Sequence, residues 1–213
     1  MFEGAQGVLL DEWHGFHPYT TWSTTTFRNA AALLAEAGAT ARRIAVLRCY
    51  QTRHGPGPMV TEDPSLEIPE IFNAPAPWQG RFRIGHLDAV ALRYALTVAG
   101  GADVVALTHL DTAARHPELR VCRGYRVDGA TITRLPAGPP GDLAAQEALT
   151  RQLLRARPVY QDAGDDWPAI VERMLGIRVA LASHGPRAAD KQVLSGPDVH
   201  SRREHHFAGR MFL

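Results

Sequence analysis

Along the chain, short apolar runs rich in β-branched residues alternate with stretches whose apolar positions recur every three to four residues. Residues 7–10, 44–50, 104–108 and 178–182 read as strands, and residues 27–37, 87–98, 142–156 and 167–175 read as helices. Three of the helices carry a start signal: the Ser/Thr run before Phe27, then Asp142, then Asp166 ahead of Trp167-Pro168. Residues 122–134 alternate with period two about Asp128-Gly129, a pair suited to a tight hairpin turn. This ordering predicts an α/β fold with a mixed, mostly parallel sheet flanked by helices.

Residues 54–80 break the periodicity with Gly and Pro over a length that is uncommon for an idle connection, so a functional loop is expected there. Past Gln192 the pattern fades. One domain over residues 1–192 and a tail over 193–213 is the resulting division, and no internal repeat interrupts it.

Composition narrows the chemistry. At 213 residues and 45% hydrophobic content the chain can bury one sizeable core. A formal charge of +1 provides no broad basic surface, so no nucleic-acid partner is expected. Lys191 is the only lysine, which rules out a glycine-rich phosphate loop ending in Gly-Lys and a core Schiff-base lysine. Cys49 and Cys122 lack metal or redox spacing and read as buried, reduced thiols of a cytoplasmic protein. No apolar window is long enough to span a membrane, and no secretory leader pattern is visible.

Several short stretches carry candidate chemistry. Gln6, between Gly4 and Gly7, can both donate to and accept from a neutral heterocycle, or it can be an exposed side chain at a turn. The run from Thr20 to Thr26 can gather hydroxyls and helix N-terminal amides around an anion, although ordinary capping needs only one of them. Arg53 stands in a loop stiffened by Pro56 and Pro58. Arg81 and Arg83 share one side of an extended segment, as either a carboxylate or phosphate clamp or two surface charges. Asp111 and the Ser183 to Pro186 stretch follow strands, where open α/β sheets bind ligands, yet Asp111 could equally cap a helix. His14 with His17, and His200 with His205 and His206, lack partners at metal-ligand spacing, so no metal site is expected.

Taken in order, these segments resemble the C-terminal half of adenylosuccinate synthetase, the family that joins aspartate to IMP with GTP. The matching motifs are FEGAQG with LLD, HG-x-x-P-Y-x-T, Y-x-TR-x-G-x-GP with TE, G-x-LD-x-VALRYA, ALT-x-LD, Y-x-x-DG, PVY with a following Trp, and S-x-GP. The resemblance runs over roughly residues 2–190 and implies that family's C-terminal fold. It further implies that Gln6, Leu10 and Thr21 contact a purine nucleotide, with Arg53 nearby and His54 where the family usually has Val beside the ribose. Asp111, Ser183, Gly185 and Pro186 correspond to a guanine pocket in which His109 replaces a Lys. The family's aspartate loop is altered: Pro77 and Trp78 stand for two threonines, and only Arg81 and Arg83 remain from a run of arginines.

The family's first half, with its phosphate loop, catalytic Asp and His, and magnesium site, has no counterpart in these residues. The expectation is therefore a subunit of a split, divergent GTP-dependent C–N ligase, with no catalytic residue or metal ligand of its own. GTP and Mg2+ would bind only in complex with a partner that supplies the first half. The alternatives are a noncatalytic nucleotide-binding or assembly protein, and a homodimer that completes its own sheet.

Overall fold

The computed structural model describes residues 1–70, 73, 80–194 and 209–212. In chain order its elements are α1 (Arg28–Glu36), β1 (Arg43–Arg48), β2 (Tyr50–His54), β3 (Phe82–Asp88), α2 (Ala89–Val98), β4 (Val104–Thr108), α3 (Leu110–Arg115), β5 (Arg120–Val127), β6 (Ala130–Ile132), α4 (Leu143–Arg155), β7 (Arg157–Asp162), α5 (Trp167–Leu175), β8 (Val179–Ser183), β9 (Lys191–Val193) and β10 (Gly209–Phe212). The mixed α/β class is as the apolar pattern predicts.

Two sheets arise from these strands among the described residues. The first has the order β10-β1-β4-β8-β9, parallel except for β9. The second has the order β2-β3-β5-β6, with β7 also paired to β5, and is mostly antiparallel. The predicted strand over residues 44–50 is in fact split at Cys49, where the chain leaves the first sheet and enters the second. Apolarity runs straight through that point, so a hydrophobic pattern cannot reveal the change of partner.

Helix α2 joins the two sheets because it is apolar on more than one side. Ala89, Leu92 and Leu96 pack into the larger core with Leu47, Leu107 and Val171, while Val90 and Tyr94 enter a second cluster with Phe16, Tyr125 and Leu153. Asp88 ends β3 and caps α2 at once, its carboxylate accepting from the backbone N–H groups of Val90 and Ala91. The helix therefore begins two residues later than its apolar periodicity suggests. Asp142 and Asp166 cap α4 and α5 in the same way, as their positions predict.

The hairpin of β5 and β6 turns at Asp128 and Gly129 with φ of 48° and 83°, the left-handed pair that a two-residue turn requires. Residues 7–10 do not form a strand. Val8–Leu10 make a short 3-10 turn, because the buried Asp11 carboxylate gathers the N–H groups of Trp13, His14 and Thr25 and curls the segment back on itself. The stretch assigned to a tail contributes the last residue of β9 and all of β10, and β10 pairs in parallel with β1 from Arg43 to Val46. No helix of the described residues is long and apolar enough to cross a membrane.

Candidate functional site

A cavity of about 950 Å³ opens beside the C-terminal ends of β1, β4 and β8, the position at which parallel α/β sheets bind ligands. It gathers residues far apart in sequence: Gln6 and Leu10 from the opening loop, Arg53 and His54 from β2, His109 and Asp111 from the β4–α3 junction, and Ser183, Gly185 and Pro186 after β8. Thr21 is not on the wall itself. Its Oγ1 accepts from Gln6 Nε2 at 3.2 Å, while Ser23 Oγ donates to Gln6 Oε1 at 3.2 Å, so the amide of Gln6 is held at both ends.

The hydroxyl run ties down the opening loop. Thr24 donates to Glu12, Thr25 donates to the Gly7 carbonyl, and the residue capping α1, Phe27, offers no side-chain acceptor.

Arg53 is buried and donates through Nε to the Pro56 carbonyl and through Nη2 to the Tyr19 carbonyl. Burial, assisted by Arg83, lowers its pKa to about 10, so it stays charged at neutral pH. Gly57, at φ 110°, lies so close that a Cβ there would meet Arg53 Nη2 at 2.5 Å.

Arg81 and Arg83 do not line the cavity. Side chains alternate along β3, so the residue between them, Phe82, faces the cavity and sets its ring against His54 with centroids 4.7 Å apart. Arg83 donates to the Gly55 and Gly57 carbonyls and to Glu62, and Arg81 pairs with Glu62. The two guanidiniums hold the Glu62 carboxyl below its ordinary pKa. In this structure the charge of the arginine pair secures the loop after β2. The substitutions at Pro77 and Trp78 lie outside the described residues, as do His200, His205 and His206.

At the other end of the cavity, His109 stands at φ 62° just before α3, its ring edge-on to Tyr50. Burial, with help from Arg48, lowers its pKa, so the imidazole is neutral. Asp111 is paired with Arg115 across one helical turn at 2.9 Å. Ser183 Oγ donates to the Gly185 carbonyl at 3.2 Å, and Lys191 Nζ donates to the Gly185 and Arg187 carbonyls. The Asp190 carboxylate packs against Gly185, where a Cβ would meet its oxygen at 2.6 Å.

Sequence reasoning missed other residues on this wall. Arg48 and Tyr50 both bind Glu70, whose second oxygen accepts from Asn73. Asp88, Tyr125 and Lys191 also line the cavity. Asp88 and Tyr125 fall inside the quoted motifs G-x-LD and Y-x-x-DG, which was the available signal. Cys49 and Cys122 are both buried, and burial raises each thiol's pKa, Cys122 to about 12, so neither is a nucleophile.

The fold and the cleft define an α/β protein with a cavity at the C-terminal ends of parallel strands. The comparisons with known proteins narrow this. The sequence pattern described as adenylosuccinate synthetase matches residues 1–191, and the chain belongs to the adenylosuccinate synthetase family. Among curated relatives, the adenylosuccinate synthetase of Nitratidesulfovibrio vulgaris is 35% identical over 87% of this chain and 46% of its own length. That of Desulforamulus reducens is 38% identical over 76% of this chain and 36% of its own length. The chain thus spans about half or less of the relatives it matches. A solved structure of fully ligated adenylosuccinate synthetase from Plasmodium falciparum superposes with a TM-score of 0.62 at 21% identity, covering 90% of this chain and 49% of the other, which establishes likeness of fold.

Proposed function

We propose that this chain forms the nucleotide-recognition part of a divergent adenylosuccinate synthetase-like ligase, acting with a polypeptide that carries the phosphate loop. The observation that carries this reading is one continuous cavity lined both by Gln6, Leu10, Arg53 and His54 and by His109, Asp111, Ser183, Gly185 and Pro186. A ligase that activates a 6-oxopurine nucleotide as its phosphate ester and then admits an amine needs an acceptor site and a nucleoside triphosphate site side by side.

In this scheme Gln6, held by Thr21 and Ser23, orients the acceptor heterocycle, Arg53 supplies positive charge beside it, and Asp111 and Ser183 grip the base of the triphosphate. GTP and Mg2+ serve the assembled enzyme. In this reading Mg2+ is held with the phosphate loop by the partner, and no step is assigned to it on this chain. Most of the catalysis of phosphoryl transfer is positioning and charge, which that partner must complete.

The test is reconstitution: the chain is mixed with a phosphate-loop-bearing homologue of the family's first half, and phosphate release is followed with GTP, IMP and amines. Turnover that needs both polypeptides is expected, and no complex with no turnover would sink the proposal. A second reading, a noncatalytic nucleotide-binding protein, draws on the Phe82 wall and the committed Arg81 and Arg83. Tight IMP or GTP binding by the chain, with no partner able to raise turnover, would favour it.

A further inference from the structure

One face of the second sheet is packed. Tyr125 and Val127 of β5 enter the cluster formed with Val90 and Tyr94 of α2 and Leu149 and Leu153 of α4. Side chains alternate along a strand, so Arg126 faces the other way, where it is exposed. Its register partners share that face: Arg157 on β7 and Thr131 on β6, both exposed. Two guanidiniums and a hydroxyl thus stand in one row across three strands. Gly124 in the neighbouring row adds no side chain, and Thr131 and Thr133 close over it, their methyls 3.4 and 3.5 Å from where a Cβ would stand. Arg123, the extra residue of the β-bulge between Cys122 and Gly124, is also exposed. Like charges directly opposite each other on neighbouring strands weaken a sheet, and nothing in the fold offsets this pair. Among the described residues Arg123, Arg126 and Arg157 form no ion pair and no side-chain hydrogen bond, whereas Asp128 goes to Arg155 at 3.5 Å and Glu147 to Arg151 at 3.4 Å.

We propose that this row is a docking surface for an acidic protein segment, whose carboxylates settle between Arg126 and Arg157 and relieve their repulsion. Charge complementarity selects the partner, because each planar guanidinium can hold a carboxylate through two parallel N–H bonds. A nucleic-acid strand fits less well. Exposed acids bracket the row, Asp128 after β5 and Asp162 at the end of β7, and a continuous line of phosphates would run into them. The inference is independent of the ligase reading, since Arg126, Arg157 and Thr131 are not part of the cavity wall.

The test uses the full chain and a fluorescein-labelled oligoglutamate peptide, with an oligothymidylate of equal length as the second arm. Anisotropy should show the peptide binding more tightly than the oligonucleotide, and more weakly as salt is raised. Arg126→Glu should weaken the peptide about tenfold or more, yet raise the melting temperature by about 2 °C, because the new carboxylate faces Arg157 across the strands. Arg157→Glu should do the same from the other strand. Arg42→Glu makes an equal change of net charge at an exposed residue just before β1, and it should leave peptide affinity within about twofold. Absent peptide binding, tighter oligonucleotide binding, or an equal loss in Arg42→Glu overturns the inference. So does a fall in melting temperature for both reversals, which would mean that the arginine pair serves the fold.

Discussion

Asp88 shows how much a single side chain can be asked to do. It is 2% exposed, caps α2, and accepts from Tyr125 Oη at 2.6 Å. Burial nevertheless outweighs these bonds and raises its pKa from 3.8 to about 6. The folded protein therefore holds this proton more tightly than the unfolded chain. As pH rises from 3.8 to about 6 the unfolded state ionises first, and stability from this group falls by about 3 kcal/mol, the full penalty persisting above that window. Asp88→Asn keeps the cap acceptor and removes the titration. Urea unfolding of both proteins across that range should give curves that diverge by about this amount, and parallel curves would refute the assignment.

At the scale of elements, β3 decides which chemistry reaches the cavity. Its alternation sends Phe82 to the cavity and Arg83 to Glu62 and two loop carbonyls. Replacing Arg83 with Met should lower stability by about 2 kcal/mol, through a mostly buried ion pair and two lost carbonyl bonds. IMP affinity should stay within about twofold, because the side chain does not touch the cavity. Thermal melts and calorimetry on the same sample check both halves, and a large loss of affinity without loss of stability would restore Arg83 to the binding site. The shared face of Arg81 and Arg83 is visible in the sequence as spacing. Which way that face points is not, because it depends on where β2 and the Glu62 loop lie against β3.

For the whole molecule, the notable feature is the edge of the first sheet. Strand β1 pairs with β4 on one side and with β10 on the other, and an unpaired parallel edge is a template for other chains. Helix α1 buries no side chain, and Trp22 in the loop before α1 is 97% exposed. Ending the chain after Leu194 removes β10 and should convert the protein to a concentration-dependent self-associating species. Sedimentation velocity checks this, and identical profiles for the full and shortened chains would mean that β10 does not guard the edge.

What the sequence determined by itself is what local chemistry encodes. The α/β alternation, β4 and α5 at their full predicted lengths, the Asp caps of α4 and α5 and the Asp128-Gly129 hairpin are all set by periodicity, capping and turn preferences within a few residues. Collinear motifs also carried the family and most of the cavity wall. Only tertiary structure decided the break between β1 and β2 at Cys49, the 3-10 turn imposed by Asp11, the cavity-facing side of β3 and the pairing of β10 with β1. Each of these depends on a partner distant along the chain, and the free energy of a contact belongs to the pair, so neither residue's neighbourhood in sequence can express it alone.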